Sequence, residues 1–424
     1  MKLQTLTAKA IKNKTVIVRV DYNVPLEHTK DRSKVADATR IELSIPTITF
    51  LREHGAKIIL ISHLGRPKAG EANAKLSLAP IARYISKHHR FPITFVPKIL
   101  GERSTASVAA MKKGDVLLLE NLRFDEREKK NHASFSKELA KLADVYVNDA
   151  FSTAHRSHAS TTGIPEYLPA YAGLSLQKEV ATLTELTEYP QKPLVVVLGG
   201  AKISDKVAAA EKLSDLADIV LVGGAVANSF LKAEGLEIHK SFIEDASADL
   251  KKQNINYTQV AQKLIQAHRT EKMLLNGFIP LPKIIYPVDV LAAPSLETSN
   301  SHDVQVIDLT KNMADTPNDE DLLYLDIGPK TIHLYKEILA QAKTVFWNGP
   351  MGVWENPLFE TGSKIIGAAI GNVPHSIIGG GDTISCINHF NLGKKYTYIS
   401  AAGGATLSFL GGESLPGLLP LRKK

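Results

Sequence analysis

Three arginines follow apolar runs in the first half of this chain, and paired glycines follow the runs of the second half. KIILI leads into Ser62-His63-Leu64-Gly65-Arg66-Pro67, VLLLE into Asn121-Leu122-Arg123-Phe124, and VYVN into Asp149-Ala150-Phe151 and then His155-Arg156. VIVRV leads into Asp21-Tyr22-Asn23. Further on, LVVVL gives Gly199-Gly200-Ala201-Lys202, IVLV gives Gly223-Gly224, TVFW gives Asn348-Gly349-Pro350, and SII gives Gly379-Gly380-Gly381-Asp382-Thr383. Guanidinium forks suit a small, multiply charged anion. Glycine turns let backbone N–H groups approach a phosphate chain. Both chemistries on one chain imply two facing sites with something passed between them.

Each motif also has a plainer reading. Asp21 and Asn23 share a face while a strand lasts, so they can accept from and donate to a hydroxyl or carboxylate of a small ligand. Ahead of Pro25 they can equally bond their own backbone in a turn. One arginine of the set would be a solvated surface residue, whereas Arg66, Arg123 and Arg156 at equivalent strand ends are brought together. His63 can titrate or only hydrogen-bond, and His155 reads as structural. Gly199 to Lys206 opens a helix after a strand, with Lys202 and Lys206 on one helical face as two cations; a turn with surface lysines is the alternative. Asp382 beside glycines can meet a phosphate-bound Mg²⁺, because an unneutralised carboxylate would repel phosphates. It can also cap a helix, as can Thr383. In the string Trp347 to Glu355, Glu355 can accept from ribose hydroxyls while Met351 and Val353 line a base pocket.

The elements that must hold these loops alternate along the chain. Strand-like runs fall at 15–20, 57–62, 93–96, 116–120 and 145–148, with helical periodicity over 41–54 and 135–143. A second block has runs at 194–198, 219–222, 284–288, 322–325, 344–347, 376–378 and 396–400. This alternation predicts an α/β fold with two parallel sheets, which bind ligands at the carboxyl ends of their strands. Leu174 to Tyr189 carries Leu174, Val180, Leu183 and Leu186 at helical spacing and stops before Pro190, a plausible connector. The polar segments 241–282 and 296–320 read as peripheral elaborations rather than site-forming.

Bulk properties narrow the function. At 424 residues the chain exceeds one core, and 44% apolar with 22% charged residues is ordinary for a globular protein. The 51 basic and 44 acidic residues are interspersed, with no basic tract or aromatic interleaving, so no nucleic acid partner is expected. The single cysteine, Cys386, rules out an intrachain disulfide and cysteine-based zinc sites. No signal-peptide core and no membrane-spanning run is visible, so a cytoplasmic protein without membrane contact is expected. There is no G-x-x-x-x-G-K-[ST] P-loop, no G-x-G-x-x-G after the first strand of either block, no G-x-S-x-G elbow and no H-E-x-x-H.

Together these strings resemble the phosphoglycerate kinases from end to end. R-V-D-x-N-V-P at 19–25, S-H-L-G-R-P at 62–67, E-N-L-R-F at 120–124 and N-D-A-F…A-H-R at 148–156 come in the family's order. So do G-G-A-K at 199–202, D-I-G-P at 326–329, W-N-G-P at 347–350 and G-G-G-D-T at 379–383. D-I-G-P-K-T-I has a bacterial flavour. The resemblance implies two doubly wound, Rossmann-like domains with a cleft between them. It places a 3-phosphoglycerate-binding domain at 1–173, an interdomain helix at 174–189, a nucleotide-binding domain at 190–400, and a segment at 401–424 returning to the first domain. It implies a monomer that moves a phosphoryl group between 1,3-bisphosphoglycerate and ADP, giving 3-phosphoglycerate and Mg-ATP, with Mg²⁺ on the nucleotide. By motif, Asp21, Tyr22, Asn23, Arg40, His63, Leu64, Gly65, Arg66, Arg123 and Arg156 resemble the substrate contacts. Arg40 and Lys202 resemble the groups that reach the transferring phosphoryl. Gly200, Lys202, Lys206, Gly224, Asn348, Pro350, Glu355, Gly380, Gly381, Asp382 and Thr383 resemble the nucleotide contacts, with Asp382 on the metal. Because the acceptor carboxylate is already ionised at neutral pH, such a reaction needs no general base.

Three departures from the family pattern stand out. Ser152 replaces the usual Gly, Ala225 stands where a third glycine follows Gly223-Gly224, and Ala401-Ala402 stand where a hydroxyl and a Gly are common. Ala225 would narrow a base pocket, and Ala401-Ala402 lie where the family hinges. Two rivals share the layout: a nicotinamide dehydrogenase, which lacks its glycine fingerprint here, and a non-catalytic anion- or nucleotide-binding protein on the same scaffold.

Overall fold

The computed structural model describes residues 1–29, 33–68, 73–204, 206–244, 256–311 and 321–423. Asp205 and the stretches 245–255 and 312–320, parts of motifs and segments named above, lie outside the described residues. The chain divides into two units, residues 1–182 with 414–424, and residues 183–413.

The first unit holds β1 (Thr15–Arg19), β2 (Leu26–His28), β3 (Ser33–Val35), β4 (Lys57–Ile61), β5 (Thr94–Val96), β6 (Val116–Leu119), β7 (Val145–Asn148) and β8 (Ala170–Ala172). Six of these form a parallel sheet in the order β5-β6-β4-β1-β7-β8. The central strands are apolar on both faces because helices cover both. Val16, Val18, Ile58, Leu60, Val116, Leu118, Val145 and Val147 pack on Ile41, Ile48 and Leu51 of the helix Thr39–Glu53 and on Ile81 and Ile85 of the helix Ala79–His88. Burying one such side chain contributes about 1.5–3 kcal/mol. β2 and β3 form a separate antiparallel pair, too short and mixed to read from sequence. After β1 the sheet grows to one side through β4, and after β7 to the other through β8. The chain order therefore reverses between β1 and β7, and a ligand crevice belongs outside the carboxyl ends of those two strands.

The helix Leu174–Glu188 ends before Pro190, as its spacing predicts. The buried Asp149 carboxylate at the end of β7 accepts from Ser175 N at 2.9 Å and Leu176 N at 3.1 Å, two of the free donors of its first turn.

The second unit holds β9 (Leu194–Leu198), β10 (Ile219–Val222), β11 (Lys272–Leu275), β12 (Ile279–Pro282), β13 (Ile284–Ile285), β14 (Asp289–Ala293), β15 (Gln305–Asp308), β16 (Leu323–Ile327), β17 (Thr344–Asn348), β18 (His375–Gly379) and β19 (Tyr398–Ser400). A second six-stranded parallel sheet runs β13-β10-β9-β17-β18-β19, with its reversal between β9 and β17. The run at 284–288 is not one strand. It breaks at Pro287, which has no N–H for a ladder, and β14 turns into a separate antiparallel sheet ordered β15-β14-β16.

Only part of 401–424 joins the first unit. The helix Gly404–Leu410 packs on the helix Val207–Leu216 of the second unit. Residues 414–424 lie against the first. There Gln4 N donates to Leu421 O at 2.7 Å, and Gly417 N donates to Ala154 O at 2.8 Å.

Candidate active site

In the first unit, the loops after β1, β4, β6 and β7 are tied into one hydrogen-bonded set. Asp21 Oδ1 accepts from Asn23 N at 3.1 Å, so the backbone-bonding turn is real. Its Oδ2 takes two further donors, Arg40 Nη1 at 3.0 Å and Ser152 Oγ at 2.5 Å. Arg40 stands in the first turn of Thr39–Glu53, a helix start held by Asp37 Oδ1, which accepts from Thr39 N at 2.8 Å. Arg40 Nη1 also donates to the Asn23 carbonyl at 3.1 Å. Asn23 Oδ1 accepts from Gly65 N at 2.8 Å, and Gly65 O accepts from Arg123 Nη1 at 2.6 Å. Gly65 has φ +63°, a left-handed turn that exposes its amide and carbonyl to these partners.

Beneath this set lies a charged layer that the motif spacing did not disclose. Arg19, fully buried inside an otherwise apolar strand, donates from Nη2 to His63 Nδ1 at 3.0 Å and from Nε to Ser160 Oγ at 2.9 Å. Ser160 Oγ and N in turn donate to the buried Glu128 carboxylate at 2.5 and 3.0 Å. Glu128 offsets the buried guanidinium; burial pushes its carboxyl up, against the pull of Arg19. An arginine only donates, so His63 Nδ1 is the acceptor and the ring proton sits on Nε2. Burial first, and then Arg19, Arg123 and Arg156, hold the His63 imidazole well below its usual range. His63 is thus a neutral N–H donor.

The arginine trio converges. Arg123 is brought down to about 10 by burial and then by Arg156, Arg19 and Arg66. Arg156 is lowered by burial and then by Arg66 and Arg19. Groups that depress one another share one positive field, which an anion would relieve. Arg123 Nε is buried with no partner among the described residues, a donor suited to a ligand oxygen. His155, read as structural, accepts from Arg156 Nε at 3.0 Å and so orients that arginine.

Two residues expected as substrate contacts have their side chains in the core. The Tyr22 ring is fully buried and its hydroxyl pairs with Ser44 Oγ at 3.0 Å. The Leu64 side chain is buried in the core, while its N donates to Asn121 Oδ1 at 3.2 Å and its O accepts from Asn121 Nδ2 at 2.8 Å. Both residues are scaffold. Ser152 stood out in the sequence only as a departure from the family pattern and Arg19 only as a charge inside VIVRV, while Glu128 and Ser160 left no signal there.

In the second unit, the loops after β9, β10 and β17 clamp one another through their backbones. Gly199 N donates to Asn348 O at 2.9 Å, Gly200 N to Pro350 O at 2.7 Å, and Gly224 N to Met351 O at 2.8 Å. Gly349 has φ +97°, and a Cβ there would fall on the Gly199 carbonyl, so the glycine serves loop-to-loop approach. Around this clamp lies a cavity of about 480 Å³ with mostly apolar walls, including Gly200, Gly224, Pro350, Met351, Val353, Glu355 and Asp382. That size and lining suit a nucleoside. Ala225 also lines the cavity, so its methyl takes up space that a glycine would leave.

Several sequence expectations need correction here. Lys202 and Lys206 precede the helix Val207–Leu216 instead of opening it, so they do not form a helical face. Lys206 Nζ donates to Lys202 O at 3.0 Å. Thr383 is buried and its Oγ1 accepts from Gly349 N at 2.7 Å, holding the turn. Asn348 is buried too, with Nδ2 unpartnered among the described residues. Phe242 and Leu296 wall the cavity, so the segments read as peripheral do form part of it.

Asp382 lies in the first turn of the helix Gly381–His389, exposed on the cavity wall. Among the described residues no group of three or more His, Cys, Asp or Glu could cage a metal ion. A single carboxylate fits Mg²⁺, which keeps waters and takes its other ligands from phosphate oxygens. No helix among the described residues is long and apolar enough to cross a membrane.

Comparisons with known proteins point to one family. A family model described as phosphoglycerate kinase matches residues 6–413. The phosphoglycerate kinase of Pseudothermotoga lettingae is 42% identical over 427 residues, covering 100% of each chain. Among solved structures, phosphoglycerate kinase from Coxiella burnetii matches with a TM-score of 0.79 at 35% identity over 97% of each chain. That from Pyrococcus horikoshii matches at 0.77 with 32% identity, over 97% of this chain and 96% of the other.

Proposed function

The chain belongs to the phosphoglycerate kinase family, and from that premise we propose how its residues divide the work. It is a glycolytic phosphotransferase. It moves a phosphoryl group reversibly between the acyl phosphate of 1,3-bisphosphoglycerate and ADP, giving 3-phosphoglycerate and ATP.

The glycerate end belongs to Asp21 and Asn23, and its phosphate to Arg66, Arg123, Arg156 and the neutral Nε2–H donor of His63. The observation that carries this is the shared positive field of the trio, closed beneath by Arg19 and Glu128. The acceptor is a carboxylate and needs no base, so the protein's task is positioning and charge neutralisation. Arg40 and Lys202 meet the charge that develops on the transferring phosphoryl oxygens. The nucleoside part of ADP fills the second-unit cavity, with Glu355 approaching its ribose and Gly200, Gly224, Pro350, Gly380 and Gly381 approaching the phosphates it carries. Asp382 would hold a Mg²⁺ bound with those phosphates, and the ion would neutralise part of their negative charge. Anion and nucleotide are assigned to different units, so direct in-line transfer requires closure, which also excludes water as a competing acceptor. We place the protein in the cytoplasm as a monomer.

A coupled assay consuming 3-phosphoglycerate and Mg-ATP tests the reading. Turnover on this pair, with none when a 2-hydroxy acid and a nicotinamide replace them, is the expected result. Folded protein that binds 3-phosphoglycerate yet never turns over would leave a scaffold that only binds.

A further inference from the structure

The Asp21 carboxylate carries more donors than a turn needs. A carboxylate offers about four lone-pair sites, and three are taken. Asn23 N occupies one on Oδ1, while Arg40 and Ser152 share Oδ2 at 3.0 and 2.5 Å. Ser152 is not an incidental neighbour. It sits in the tight turn Phe151–Thr153 after β7, between the buried Phe151 and Thr153. That turn is held by Ala150 N donating to Asn148 Oδ1 at 3.0 Å and by Thr153 Oγ1 donating to Ala150 O at 3.0 Å. The backbone therefore fixes its hydroxyl on Asp21.

Resting on the assignment of Arg40 to phosphoryl transfer, we infer that Ser152 is a positioning residue that lets Arg40 leave Asp21 for the substrate. In this structure Arg40 is parked on a carboxylate only 9% exposed. Its departure would leave a desolvated oxygen short of a donor, which is costly for a charged acceptor. With Ser152 in place, Oδ2 keeps one charge-assisted hydrogen bond throughout, and Asp21 keeps its orientation toward the glycerate hydroxyl. Sharing one oxygen between two donors also weakens its hold on each. With glycine or alanine at 152, Arg40 would be the only donor of this pair left on Oδ2, and release would be harder.

The test is steady-state kinetics on Ser152→Ala and Ser152→Thr, each alone and in an Arg40→Lys background. Ser152→Ala should lower kcat roughly tenfold, the size of a lost hydrogen bond to a charged group, with KM for ADP unchanged; Ser152→Thr should restore most of it. In the Arg40→Lys background the same Ser152→Ala change should cost less than about twofold, because there is no guanidinium to release. An unchanged kcat in Ser152→Ala, or the same tenfold loss with and without Arg40, overturns the inference. A readout independent of turnover is the rotation of the Arg40 guanidinium about its Nε–Cζ bond, followed by nitrogen-15 NMR. It should slow in Ser152→Ala, and equal rates in the two proteins would also overturn it. A wild-type protein inactive in the coupled assay would instead count against the kinase reading, with the NMR comparison still deciding whether Ser152 loosens Arg40.

Discussion

At Asp21, one carboxylate holds a backbone amide, a guanidinium and a hydroxyl at once. The proposal gives Arg40 a role only when charge develops on the phosphoryl group. Arg40→Ala should therefore lower kcat by about 10²–10³-fold, as losing a preorganised donor to a transition state does. KM for ADP should stay within about twofold, and an equal loss of nucleotide affinity would remove Arg40 from the transfer step. Much of this site was legible at the level of single residues, because arginines and an Asp-x-Asn pair at strand ends are uncommon as a set. The burial of Tyr22 could be read from its neighbours. Side chains alternate along an extended chain, so placing Asp21 and Asn23 on the ligand face turns Tyr22 toward the core. Ser152 was legible as a departure but its partner was not, and Glu128 was not legible at all, since only the fold puts these residues on Asp21 and beside Arg19.

Between elements, Asp149 joins the anion-site strand β7 to the helix Leu174–Glu188. Burial pushes its carboxyl up from 3.8 to about 7, against the amides that it caps. Between those two values the folded protein holds a proton that the unfolded chain has released. The stability this proton supplies is complete below about 3.8 and is lost as the pH rises to about 7. Asp149→Asn keeps an acceptor for Ser175 N and Leu176 N but removes that titration. Relative to the wild type, the variant should gain on the order of 2–4 kcal/mol between pH 4 and pH 8, read from urea-unfolding midpoints. A stability difference that stays flat with pH would mean that Asp149 is ionised throughout. The parallel strands were readable because burial on both faces demands continuous β-branched runs. The β2–β3 and β11–β12 hairpins were not, since short mixed segments have no such pattern. The run at 284–288 misled because apolarity hid the break at Pro287.

For the molecule as a whole, two doubly wound sheets follow from alternating runs and a length too great for one core. The returning tail was only partly foreseeable, because a turn-rich stretch does not say against which surface it packs. Within 414–424, Leu415, Leu418 and Leu421 are buried, which amounts to roughly 5 kcal/mol or more of apolar burial. A chain ending at Glu413 should melt its first unit at a clearly lower temperature in calorimetry while still binding ADP. An unchanged first transition would show the tail to be ornamental. That tail also ties stretches remote in sequence into one unit. Gly417 N donates to Ala154 O in the loop after β7, so residues 1–182 are fully packed only once this stretch has joined them. Contacts so distant in sequence close a loop that spans the whole second unit, and the entropy of that closure makes them late arrivals in folding.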